Sequence, residues 1–252
     1  MKRGFLHGLA IGVFAVTAPL TALAGDLSVA VAANFTAPMK HIAQDFERDS
    51  GYKLRLAFAA TGQFYAQIRN GAPFEILLSA DDTTPLRLEQ EGLAVAGSRF
   101  TYATGRLALW SRTPGLVDDQ GEVLRRGQFA RIAIASPKLA PYGVAAISVL
   151  EKMGLRDRIA PKIVEGSNIS QTFQFIATDN AQLGFVAVSQ VFDKGRLKEG
   201  SAWVVPASMH PPIRQDAVLL RGGERNAAAS ALLQYLKGEP ARAVIRSFGY
   251  EA

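Results

Sequence analysis

The sequence predicts an α/β protein of two lobes, each a mostly parallel sheet flanked by helices. Three observations predict it. Short apolar strand patterns alternate with helical patterns along the chain. The 252 residues suit two lobes of about 100 residues each. A Pro-rich stretch at Met209-His210-Pro211-Pro212 offers a return path between lobes late in the chain.

Residues 1–24 stand apart from the fold. Lys2 and Arg3 precede an apolar run from Phe5 to Leu20, and Ala22-Leu23-Ala24 supplies small residues before a cut. This is the pattern of a secretory signal peptide cleaved after Ala24. The run is shorter than the roughly 20 residues a spanning helix needs and contains Gly8, Gly12 and Pro19.

The first strand follows, with Leu27, Val29 and Val31 alternating with Ser28, Ala30 and Ala32. Met39, Ile42, Ala43 and Phe46 then recur at helical spacing and stop before Gly51. Leu54, Leu56 and Phe58 mark a second strand, and Phe64, Tyr65 and Ile68 a helix ended by Asn70-Gly71. Phe74 to Ser79 is apolar enough for a strand buried on both faces. Thr84 is placed as the N-cap of the next helix, with Pro85 at its first position. Strand, helix, strand, helix, strand, helix implies parallel strands joined by right-handed crossovers.

The strand pattern from Arg106 to Arg112 marks a crossing into a second lobe. Ile132 to Ser136 is a short buried strand, Ala140-Pro141-Tyr142-Gly143 opens a helix running to Met153, and Ile163-Val164 precedes a turn at Gly166-Ser167-Asn168. A helix from about Ile169 to Ala177 and a strand from Leu183 to Val188 complete this half. After the Pro-rich hinge come a strand from Ala217 to Leu220 and an Ala-rich helix from Asn226 to Leu236 that packs back on the first lobe. The expected division is therefore 25–105 with 209–252 in lobe I and 106–208 in lobe II.

Four strand-to-helix turns carry the chemistry: Ala33-Asn34-Phe35-Thr36, Ala60-Thr61-Gly62-Gln63, Pro141-Tyr142-Gly143 and Ser167-Asn168-Ile169-Ser170. In an open parallel sheet such turns lie at the carboxyl ends of strands, where ligands bind. Each helix start offers unpaired N–H groups and a partial positive charge. Several converging on one point make an anion site without Lys or Arg. Each turn also has a plainer reading. Taken singly, Asn34, Thr61 and Asn168 read more simply as N-caps, Tyr142 reads as readily as a packing aromatic, and Thr36 is an ordinary first-turn residue.

Other chemistries find little support. There is no cysteine, hence no disulfide or thiolate metal site, and only His7, His41 and His210 exist. His41 is placed on a solvated helix face. Asp81-Asp82 and Glu165 are the only candidates for acid–base work, with Asp81 expected to hold local backbone donors and Asp82 to be solvated. No nucleophile elbow, P-loop or dinucleotide fingerprint is present. Two of the 28 basic residues and none of the 22 acidic ones fall in the signal segment, so the mature chain carries +4, spread diffusely and without interleaved aromatics. Nucleic-acid binding is not expected.

At these same turns the sequence resembles the periplasmic molybdate-binding proteins of ABC transporters. The resemblance runs through the whole mature chain. It is best at Val29-Ala30-Val31-Ala32-Ala33-Asn34-Phe35-Thr36, Tyr65-Ala66-Gln67-Ile68, Asn70-Gly71-Ala72-Pro73-Phe74, Leu78-Ser79-Ala80-Asp81, Ala140-Pro141-Tyr142-Gly143 and Leu183-Gly184-Phe185-Val186-Ala187. It implies a type II periplasmic binding fold with two crossing segments and the anion in the cleft. The contact residues implied are Asn34, Thr61, Tyr142 and Ile169: backbone N–H plus a side-chain donor from the first two, N–H and possible hydroxyl from Tyr142, N–H alone from Ile169. One branch of the family has tyrosine where Ala187 stands, and Tyr142 resembles the substitute used by another. That second branch can carry a hydroxyl residue where Ala33 stands. The resemblance further implies molybdate or tungstate as ligand, no cofactor, a membrane permease as partner, a monomeric state and a periplasmic location. The alternatives are a same-fold binder of another oxyanion or a small organic acid, and an exported hydrolase. An organic-acid site would call for an Arg clamp, and no Arg falls at the four turns.

Overall fold

A computed structural model describes residues 26–252; the signal segment and its cut after Ala24 lie outside the described residues. The first part of the chain runs β1 (Asp26–Ala32), α1 (Thr36–Ser50), β2 (Lys53–Ala59), α2 (Thr61–Arg69), β3 (Ile76–Leu78), α3 (Thr83–Gln90) and β4 (Phe100–Gly105). It continues β5 (Leu107–Ser111), α4 (Glu122–Arg126), β6 (Ile132–Ala135), α5 (Pro141–Lys152), α6 (Arg156–Ile159), β7 (Ile163–Gly166), α7 (Ile169–Ala177), β8 (Leu183–Ala187) and α8 (Val188–Val191). The small hairpin β9 (Phe192–Asp193) and β10 (Arg196–Leu197) leads to β11 (Ser201–Val204), β12 (Ile213–Leu219), α9 (Ala227–Lys237) and α10 (Glu239–Ser247). No helix among the described residues is long and apolar enough to cross a membrane.

Two five-stranded mixed sheets form, in the orders β2-β1-β3-β12-β4 and β11-β5-β8-β6-β7. The chain passes from the first to the second at Gly105-Arg106-Leu107 and returns between Val204 and Ile213. This is the two-lobed type II periplasmic binding fold. The sheets are less parallel than the strand–helix alternation suggested. β12 runs antiparallel to both β3 and β4, and β5 antiparallel to both β8 and β11. These are the strands beside the crossings, where a chain changing sheets enters without a helical crossover.

Period-two patterning splits the first core in two. Leu27, Val29 and Val31 face α1, α9 and α10 with Met39, Ile42, Phe46, Leu232 and Ile245. Ala30, Leu77 and Val218 face α2 and α3 with Phe64, Ile68 and Leu88. Residues of β3 are fully buried, as a strand covered on both faces requires. In the second lobe Leu107, Leu109, Ile134 and Phe185 pack on α5, while Ala108, Trp110 and Val186 pack on α7 and α8. Each such large side chain contributes about 1.5–3 kcal/mol by leaving water. The start of α3 differs from the expected cap. Thr83 opens the helix with Asp82 at the N-cap position, and Asp81 Oδ1, one residue earlier, accepts from the N–H of Thr84 at 2.8 Å. Pro85 therefore stands one turn-fraction inside, at the third position, where its missing N–H is still unneeded.

Register sets the site. Parallel pairing aligns Ala32 of β1 with Ala59 of β2, so the turns bearing Asn34 and Thr61 leave one sheet edge side by side. Ala135 of β6 pairs with Gly166 of β7, which does the same for the turns before α5 and α7.

Candidate functional site

The four turns meet. Asn34, Thr61, Tyr142 and Ile169 line one small cavity between the lobes. Ala32, Ala33, Ala60, Ala80 and Ala140 supply much of the remaining wall, and their methyl groups leave the backbone accessible. Neither Lys nor Arg lines it.

The N–H inventory is selective. In α2, Gly62 donates to Leu139 O, and Gln63 and Phe64 donate to Ala60 O, which leaves Thr61. In α5, Pro141 has no N–H, and Gly143 and Val144 donate to Ala140 O, which leaves Tyr142. In α7, Ser170 and Gln171 donate to Asn168 Oδ1 and Thr172 to Asn168 O, which leaves Ile169. The N–H of Asn34, in the single 3₁₀ turn Ala33–Phe35 before α1, likewise finds no acceptor among the described residues. Four N–H groups on four helix starts thus remain open around one small space, each at the positive end of a helix dipole.

The cap alternative separates the turns. Asn168 is an N-cap. Asn34 and Thr61 are not: Phe35 precedes α1, and Ala60 precedes α2 with its N–H bonded to Gln63 Oε1. Thr61 Oγ1 instead accepts from Ala80 N at 3.0 Å and lies 3.4 Å from Ser79 Oγ. Thr36 is the first residue of α1 and donates its hydroxyl to Ala33 O.

Two side chains point elsewhere than the resemblance implied. Asn34 Nδ2 donates to Gln215 Oε1 at 2.9 Å and to Tyr250 OH at 3.0 Å. The Tyr142 hydroxyl accepts from Gln215 Nε2 at 3.3 Å, deep beside Gly105. Both residues therefore offer the cavity chiefly their N–H. Ala187 ends β8 fully buried, its N–H taken by Gln190 Oε1, and lies outside the cavity wall. Ala33 is in the wall, and its carbonyl accepts from Ser170 of the other lobe at 3.2 Å.

The lobes are in contact across the cavity. Gly62 N donates to Leu139 O, Ser170 Oγ to Ala33 O, and Ser189 Oγ to Asn34 O. Tyr250, two residues before Ala252, donates to Asn34 O at 2.8 Å and lies 3.0 Å from Ser189 Oγ. Glycine permits one close approach: a Cβ on Gly143 would lie 2.2 Å from Ala135 O, so α5 starts directly on the end of β6 only because that atom is absent.

Electrostatics fit an anion. Burial holds the Tyr102 and Tyr142 hydroxyls well above the ordinary range and pushes Tyr250 from 10 up to about 12, so all three stay neutral at pH 7. Asp81 lies in the neighbouring interlobe groove, where burial raises its pKa against hydrogen bonds from Thr84 and Ser79. Its carboxylate is engaged by Thr84 N, Thr84 Oγ1 and Ser79 Oγ, the local role expected of it. Asp82 is half-exposed, 3.8 Å from Arg214, and Glu165 is exposed. His41 is exposed on α1, beside Asp45. Among the described residues no cluster of three His, Asp or Glu side chains could hold a metal ion. The buried polar residues Gln215, Tyr102, Ser189 and Tyr250 behind the cavity were not read from the sequence. They lie far apart in the sequence, and only the fold brings them together.

The chain is 58% identical over 229 residues to the molybdate-binding protein ModA of Azotobacter vinelandii, covering 91% of each. It is 51% identical over 231 residues to the protein of the same name from Rhodobacter capsulatus, covering 92% of this chain and 90% of that one. The solved structure of the Azotobacter vinelandii periplasmic molybdate-binding protein superposes with a TM-score of 0.87 at 39% identity, over 90% of this chain and 99% of that one. The family described as bacterial extracellular solute-binding protein matches residues 27–251, and the chain belongs to that family.

Proposed function

We propose that this protein is the substrate-binding component of an ABC importer, capturing molybdate, and tungstate with it, in the cleft between its lobes and delivering it to a membrane permease. The observation that carries the reading is the set of four open N–H groups, of Asn34, Thr61, Tyr142 and Ile169, around one cavity without a cation. Relatives more than half identical are named for molybdate.

Molybdate is a dianion at neutral pH and accepts hydrogen bonds only. Charge-assisted N–H and O–H bonds to it are short and strong, and several together offset its desolvation. Thr61 adds its hydroxyl. Sulfate has the same charge and shape but shorter bonds, so a cleft sized for molybdate cannot bring every donor to hydrogen-bond length around it. Tungstate is nearly isosteric with molybdate and is held alike. Residues 25–105 with 209–252 close against 106–208, and the closed form docks on the permease. The chain is exported through its signal segment, cleaved after Ala24, and works as a periplasmic monomer without cofactor or catalysis. The acid pair that a hydrolase would need is committed to α3 and Arg214, outside the cavity wall.

Calorimetric titration of residues 25–252 tests this. Tight binding of molybdate and tungstate, with sulfate and phosphate weaker by orders of magnitude, is the expected result. Tight sulfate or phosphate binding with no heat from molybdate overturns the assignment.

A further inference from the structure

Behind the cavity, Gln215 of β12 is fully buried, and its amide joins both lobes. Its Oε1 accepts from Asn34 Nδ2 at 2.9 Å, and its Nε2 donates to Tyr142 OH at 3.3 Å. Those two partners sit in cavity-lining turns of opposite lobes. The junction depends on two irregularities. β12 and β4 pair Gln215 with Ala103 and Asp216 with Thr101, so Tyr102 is the extra residue of a β-bulge, and its hydroxyl reaches Gln215 Oε1 at 3.1 Å. Gly105, at the crossing, lacks the Cβ that would stand 2.2 Å from Tyr142 OH and 2.5 Å from Gln215 Nε2. A buried amide with a donor and an acceptor each committed in a fixed direction fixes the spacing of whatever it holds.

We infer that Gln215 is a positioning residue that sets the size of the oxyanion cavity, by holding the Asn34 turn and the Tyr142 turn at a fixed separation through the gap left by Gly105. It touches no ligand itself. The inference rests on the oxyanion reading and goes beyond it by assigning size discrimination to a residue outside the cavity wall. Without the amide tie, the turns adjust to a smaller guest, and the molybdate-to-sulfate preference falls further than general loosening of the fold would lower it.

The test compares molybdate and sulfate affinities by calorimetry in wild type and Gln215→Met, which keeps the volume and removes the amide, well below the melting temperature of either. The expected result is a molybdate-to-sulfate affinity ratio at least tenfold smaller in the variant. A purely structural role lowers thermal stability and leaves the ratio unchanged, so a ratio within threefold of wild type overturns the inference. Should Gln215→Met not fold, Gly105→Ala, which drives a methyl group into the same junction from a different strand, is read by the same ratio and the same limits. Wild type binding neither anion overturns the oxyanion reading, and is recognised as that failure because it appears before any substitution is made.

Discussion

The backbone N–H of Gly62 donates to the carbonyl of Leu139 at 2.9 Å, binding the first turn of α2 in one lobe to the loop before α5 in the other. A Cβ on Gly62 would stand 3.1 Å from both Leu139 Cα and Leu139 O, closer than ordinary contact allows. Gly62→Ala is therefore expected to hold the closed lobes apart by a few tenths of an ångström. Affinity should fall about tenfold, while the ligand-free protein is unchanged or more stable, by up to about 1 kcal/mol, because alanine favours the helix. Calorimetry paired with a ligand-free thermal melt separates the two effects; a variant that binds as tightly as wild type would show that this contact does not limit closure.

Thr61 brings to the cavity an open N–H and a hydroxyl held by Ala80 N and Ser79 Oγ. Thr61→Ala removes a hydrogen bond to a charged partner, worth about 1.5–3 kcal/mol, so molybdate affinity should drop roughly 10- to 150-fold. Thr61→Ser keeps the hydroxyl and should stay within about threefold. Equal losses in the two variants would assign the effect to packing instead.

Asn34→Asp changes one atom and puts a negative charge where the Asn34 amide now meets Gln215 and Tyr250, behind a cavity with no cation in its wall. At an effective dielectric of about 20, a charge about 5 Å from a dianion opposes it by several kcal/mol. Binding should weaken at least 100-fold at neutral pH and partly recover as the new carboxyl protonates on acidification. Retained wild-type affinity at pH 7.5 would place the anion elsewhere.

Alkali should unfold the protein through the tyrosines behind the cavity. Tyr250 is raised from 10 to about 12 by burial, with Tyr102 and Tyr142 raised well above the ordinary value by the same cause. A raised folded pKa means the unfolded chain gives up its proton first. Stability from these groups is intact below pH 10 and is lost as pH rises from 10 through about 12. Tyrosinate absorbance followed alongside circular dichroism should show ionisation and unfolding together in that window. Full ionisation of every tyrosine near pH 10 with the fold intact would contradict the burial argument.

Much of the fold was legible because it is written in apolar periodicity. Leu27-Val29-Val31, Met39-Ile42-Phe46 and the apolar run at β3 read directly as buried faces. What escaped has weak patterning. β4, Phe-Thr-Tyr-Ala-Thr-Gly, carries a bulge at Tyr102 that breaks its alternation, and β11 is only Ser-Ala-Trp-Val. α10 is a different case: Ala241, Val244, Ile245 and Phe248 recur at helical spacing after Pro240, a legible signal that went unread. The antiparallel direction of β12 depends on where the chain re-enters the sheet, which no local pattern encodes. At the cavity, the four turns were visible because small and hydroxyl residues followed each strand. The supports were not, since Asn34 and its partner Tyr250 lie 216 positions apart. The direction of the Asn34 side chain, toward Gln215 and Tyr250, was hidden for the same reason.

The end of the chain is sewn to the crossing strand. Thr104 and Glu251 exchange backbone hydrogen bonds, and Tyr250 between them and the cavity donates to the carbonyl of Asn34. The Asn34 turn therefore takes its final shape only once a segment 216 positions further along the sequence has docked against it.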